Sequence, residues 1–141
     1  SENYLCEPVQ HYGFYLTPLQ NFEKGKTVFY PHGYSNYFFH PTHPHELIIV
    51  STENNKVSIL NCLSGEIVRT ISKGKEYAFC NIDPVTGNYL FRNSYYVLIT
   101  NENGDELFRM RSEDASPYLA NNILTCWAGA AINVEPYLKK P

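Results

Sequence analysis

Between Gly25 and Met110 apolar and polar residues alternate in short runs, each closed by Gly, Pro, Asn or Asp, which is the period of half-buried strands. The run at 46–50 is apolar throughout and bounded by prolines and a polar turn at 51–55, so it predicts a buried strand. Residues 56–60 alternate and carry β-branched side chains, predicting its antiparallel partner with Asn54-Asn55 at the hairpin tip. Ser64-Gly65 then leads into an alternating strand at 66–71. The same order returns: strands at 77–82 and 88–92 about the turn 83–87, then 95–100 and 106–110 about Asn103-Gly104. After a polar linker at 112–116 the pattern changes. Ile123, Leu124, Trp127, Ala128 and Ala131 fall at helical spacing, which predicts a short amphipathic helix over 120–131, although 123–127 also suits a strand.

These strands repeat. Gly25, Gly65 and Gly104 each open a turn into a short alternating strand, and the interval between them is about 40 residues. Pro41 and Pro84 close equivalent strands, with Leu47 and Leu90 at one offset beyond them. A strand and turn order at this period is the mark of a β-propeller blade. The segment 39–71 resembles one WD40 repeat in the order of its parts: Phe39-His40-Pro41, an apolar strand, a polar hairpin, then a last strand beginning at Ser64-Gly65. Residues 77–110 resemble it more loosely. The Trp-Asp pair of that family is replaced by Leu60-Asn61 and by Ile99-Thr100, and no Gly-His pair precedes either repeat. The expected fold is therefore all-β, with antiparallel blade-like sheets of a degenerate WD40-like propeller segment. Units are expected at 1–30 (partial), 31–71, 72–111 and 112–141 (partial, or a helical tail). A small β-barrel or sandwich is the alternative.

Composition narrows the function. The chain has 141 residues, 43% hydrophobic and 15% aromatic, enough for one domain with a core and too apolar for disorder. No apolar run approaches the roughly 18 residues of a membrane-spanning helix. With 11 basic against 14 acidic residues and a formal charge of −3, nucleic acid is a poor partner and a protein or peptide a better one. Cys6, Cys62, Cys80 and Cys126 form no C-x-x-C pair, so reduced thiols in cytoplasm or nucleus are expected. A start at Ser1 and a single methionine, Met110, suggest a processed chain or a piece of a longer one, with no retained secretory leader. Since the repeats fall short of a ring of four to eight blades, the remainder of a longer propeller or a second copy is expected to complete it.

Two groups of residues invite chemistry. His40, His43 and His45 lie close together, and His43 and His45 flank a proline, so an extended segment turns both to one face where they can share a divalent transition metal. His43-Pro44-His45 with Gly65-Glu66 also resembles the cupin pattern, which implies a small metal-dependent β-barrel enzyme. Tyr77 stands where that family's third histidine belongs, and Ile49 or Val50 where its glutamate belongs. No nucleophile elbow, zincin or phosphate-loop motif occurs. The second group is aromatic and basic. The WD40 resemblance implies peptide-binding loops, and Tyr34, Tyr37, Lys73, Lys75, Arg92 and Tyr95 are the contact residues it suggests. The leading expectation is a non-enzymatic scaffold module without a cofactor; the metalloenzyme and a self-associating β domain are the alternatives.

Overall fold

Turn chemistry divides the chain into short strands. Asn61 Oδ1 accepts the N–H groups of Leu63 and Ser64, Asn93 Oδ1 those of Tyr95 and Tyr96, and Asn101 Oδ1 those of Asn103 and Asp105. A side-chain carbonyl thus replaces the ladder where each strand ends. Gly65, at φ +74°, completes one such turn, and a Cβ there would stand 2.8 Å from the Tyr30 hydroxyl. The computed structural model describes residues 3–20, 23–33, 35–113, 116–126 and 129–140.

The first unit, Ser1–Thr70, holds two sheets. Strands β1 (Tyr4–Val9), β2 (Gly13–Gln20), β3 (Glu23–Lys24) and β4 (Val28–Pro31) form the first, in which β2 pairs with each of the other three. Strands β5 (Ser35–Phe39), β6 (Glu46–Ser51), β7 (Val57–Asn61) and β8 (Ile67–Ile71) form the second as a meander in sequence order. One cluster joins them: Tyr4, Phe14 and Leu16 from the first sheet meet Leu47, Ile49 and Leu60 from the second, with Cys6, Tyr37 and Cys62 packed around them. Phe14 centres an aromatic group, with Tyr37 at 4.7 Å and Tyr30 at 5.3 Å between ring centroids.

The second unit, Ile71–Pro141, repeats the plan. Strands β9 (Ala78–Ile82), β10 (Tyr89–Arg92), β11 (Tyr96–Thr100) and β12 (Glu106–Arg111) form a four-stranded antiparallel meander. Strands β13 (Tyr118–Ala120), β14 (Ile123–Thr125) and β15 (Ala131–Asn133) form a three-stranded one, followed by a 3-10 turn at Glu135–Tyr137. Leu90, Val97 and Ile99 pack against Leu119, Leu124 and Val134.

Two expectations need correction. Among the described residues no sheet closes into a barrel, so neither the small-barrel alternative nor the cupin-like enzyme has its scaffold. The tail holds no α-helix among its described residues. Asn121 and Asn122 adopt φ of +49° and +61°, the two left-handed residues of a tight hairpin, and turn β13 back onto β14. The predicted helix positions Trp127 and Ala128 lie outside the described residues.

Candidate functional site

The histidine segment joins β5 to β6, and the main chain already uses its best ligand. His40 is buried, and its Nδ1 accepts the N–H groups of Thr42 and His43, each at 3.1 Å. Burial, and then the charges of His43 and Arg69, lower its pKa to about 4, so the ring is neutral. His43 packs edge-on against it, 4.1 Å between centroids, and its own Nδ1 lies 3.8 Å from Glu46 Oε2. Glu46 pairs with Arg69 across the sheet. His45 is turned to another partner, the Tyr4 hydroxyl, 2.8 Å from its Nδ1. The three imidazoles therefore have separate engagements. Among the described residues no three His, Cys, Asp or Glu side chains come together as a metal-ligand group.

The opposite end of the second sheet is open. There the start of β5, the connection from β4 and the β6–β7 hairpin enclose a cavity of about 240 Å³ lined by His32, Ser35, Ser51, Glu53, Lys56 and Ser58. A second cavity, of about 320 Å³, shares Gly33 and Ser35 with the first and reaches Pro8, Val9, Asn36 and Tyr37. Together they make a cleft in the first unit, more polar in the first cavity and more apolar in the second. His32 is held neutral by burial, which lowers its pKa, and stacks on Phe14 at 6.1 Å. Tyr37 is half-buried with one side in the aromatic group; burial first, then the neighbouring Cys6, push its hydroxyl pKa up, and the Ser35 side chain bonds it. Burial likewise raises the Cys6 and Cys62 thiols to about 11, which leaves them protonated and unreactive at neutral pH.

The suggested contact residues are dispersed. Tyr37 lines the cleft, and Tyr34 lies outside the described residues. In the second unit Tyr95 is 56% exposed at the β10–β11 turn, with Arg92 half-buried at the end of β10. Lys73 donates to the Gly104 carbonyl at 2.9 Å, at the β11–β12 hairpin and so at the other end of that sheet; Lys75 is exposed. No common surface gathers these four.

Two residues outside the predicted sites organise the second unit. Asp83 is fully buried after β9 and accepts four main-chain N–H groups: Val85 (2.9 Å), Thr86 (3.3 Å), Asn121 (2.8 Å) and Asn122 (2.9 Å). Asn81, two residues earlier, accepts the Leu119 N–H at 3.1 Å and donates to the Leu119 carbonyl at 2.9 Å. The one available signal was that Asp83 precedes Pro84 as His40 precedes Pro41, since both pairs build the same turn.

No protein-family model matches the chain, and no curated protein matches it. Among solved structures it is similar to BamB from Moraxella catarrhalis, a β-propeller, with a TM-score of 0.52 and 17% sequence identity over 86% of this chain. The match covers 38% of that protein, so this chain spans well under half its length. At such identity the likeness concerns the fold alone, and does not extend to WD40 proteins in particular. It agrees with the sheets described above: the chain is an all-β, propeller-like segment.

Proposed function

We propose that this chain is a non-enzymatic protein-interaction module, a scaffold element in which each of the four sheets serves as one blade and the cleft of the first unit receives a protein partner. The observation that carries this reading is the cleft itself, where three connections converge on serine, asparagine and lysine side chains beside a rigid tyrosine. The propeller-like fold supports it, because blades present loops at their ends. The proposal places it in a reducing compartment, cytoplasm or nucleus, on the cysteine spacing of the sequence. Photo-cross-linking tests the reading: a photoactivatable side chain at Asn54 is expected to capture the same protein repeatedly, and one at Thr42, at the other end of the sheet, is not. Equal capture from both positions, or none from Asn54, refutes it.

Self-association is a second reading with its own observation. The outer strands β4 and β8 expose Val28, Phe29, Ile67 and Val68, apolar residues on strand edges that can pair between chains. Light scattering is expected to show a dimer that Val68→Lys dissociates; a monomer at high concentration removes this reading.

A further inference from the structure

In the second unit a side-chain amide stands in for a neighbouring strand. Asn81 bonds both the N–H and the C=O of Leu119, so a primary carboxamide satisfies the edge of β13 at that residue. In the first unit β1 and β5 border one cavity, and the matching place on β1 carries no amide, since Gln10 lies beyond the end of the strand. Tyr4 and Cys6 face the shared cluster, so by the alternation of a strand Pro8 is the residue near the end of β1 that faces the second sheet. Proline supplies no side-chain donor or acceptor.

The receiving strand is nonetheless prepared. The His40 N–H donates to the Glu46 carbonyl, which makes these two a bonded pair. Alternation along the antiparallel ladder then turns the N–H and C=O of Tyr37 away from β6, toward the open edge of β5. Between Pro8 and Tyr37 lies the 320 Å³ cavity, whose other lining residues include Val9, Gln10, Ser35 and Asn36. Among the described residues no carboxylate, ammonium or guanidinium lines it, and its ring and hydroxyl groups, those of His11, Ser35, Tyr37 and Thr52, suit a neutral polar group that both donates and accepts. Its volume is at the small end of ligand pockets and suits one side chain with its adjoining main chain.

We infer that this cavity is a receptor for a carboxamide, the side chain of an asparagine or glutamine on an extended segment of a partner protein, which bonds the main chain of Tyr37 as Asn81 bonds that of Leu119. The inference rests on the interaction reading and names the partner's chemistry. A carboxylate cannot donate to the Tyr37 carbonyl, and a leucine side chain can neither donate nor accept.

Amide-resolved NMR titration tests it. The probes are tripeptides with acetyl and N-methylamide ends and a central asparagine, glutamine, aspartate or leucine. The asparagine and glutamine probes are expected to shift the Asn36 and Tyr37 amides saturably, and the aspartate and leucine probes to bind at least tenfold more weakly. Pro8→Asn supplies the amide from within, so it is expected to weaken binding at least tenfold and raise the melting temperature. Pro8→Gly, which removes the proline without supplying an amide, keeps the binding. Equal binding of the leucine probe, shifts confined to other residues, or tighter binding of N-acetylglucosamine, whose acetamide would mark a carbohydrate site, overturns the inference. Cross-linking from Asn54 without amide selectivity sinks this assignment alone; loss of both sinks the interaction reading with it.

Discussion

Replacing Asp83 with alanine tests how the second unit is fastened. Hydrogen bonds to a charged acceptor contribute about 1.5–3 kcal/mol each, and Asp83 accepts four. The simple sum overshoots. Val85, Thr86 and Asn121 are exposed, so water recovers part of what their N–H groups lose. The half-buried Asn122 N–H recovers less, and with the turn loosened the expected cost of Asp83→Ala is about 3 kcal/mol. Asp83→Asn is expected to cost about 2 kcal/mol, because its oxygen can still serve Oδ1's three donors while its NH2 opposes the Asn122 N–H. Native-state hydrogen exchange at Leu119 and Leu124 is the assay, and 3 kcal/mol corresponds to a loss of protection on the order of a hundredfold. A change below tenfold for Asp83→Ala would refute the argument that this carboxylate clasps the β13–β14 hairpin. Acid gives a second readout. Burial alone would raise the Asp83 pKa, but the N–H donors outweigh it and hold the group below its ordinary 3.8. The folded value is thus the lower one, so the stabilisation is complete above 3.8 and is lost as pH falls through the folded value. Asp83→Asn should remove that slope.

His40→Ala should destabilise the first unit by about 1–2 kcal/mol in urea titration, since two N–H groups lose their acceptor, whereas His40→Asn should retain most of the turn. Asn122→Val should cost about 1–2 kcal/mol by thermal melting because a β-branched residue resists φ of +61°, and Asn122→Gly should be nearly neutral. The Cys80 thiol, pushed up to about 12 by burial against the weaker pull of Arg92, should react with iodoacetamide at neutral pH at least a hundredfold more slowly in the native protein than in urea.

The strands were legible where the physics that makes them is local. Alternation at 56–60, closed by Asn61, and at 106–110, opened by Asn103-Gly104, specifies β7 and β12 to within a residue. The tail misleads for a physical reason. Ile123 and Leu124 followed by Ala131 satisfy helical spacing, but two left-handed asparagines separate β13 from β14 and Gly129, at φ +82°, stands before β15. The candidate site was less legible. Tyr37 could be read as a contact residue from its type, yet the cleft it lines is formed by segments that meet only in three dimensions. Asn81 and Asp83 act on Leu119, Asn121 and Asn122, nearly forty residues away, and no spacing rule on one chain connects them. The histidines erred the other way. Their type announces metal chemistry, while the use of His40 Nδ1 is decided by the two main-chain donors folded over it.

His40 and Asp83 perform the same local task, accepting N–H groups two and three residues on, and they carry it through different acid chemistry. His40 has its pKa lowered from 6.5 to about 4, so its turn is fully stabilised above 6.5 and loses that stabilisation as pH falls toward 4. Asp83 loses its contribution only below 3.8. Acidification should therefore raise exchange at Leu47 and Leu60 in the first unit before it does so at Leu119 and Leu124 in the second. The order follows from which acceptor each repeat uses, so His40→Asp should remove the first step and leave the second. If the first unit still lost protection between pH 6.5 and 4 in that variant, His40 could not be the group that sets the first step.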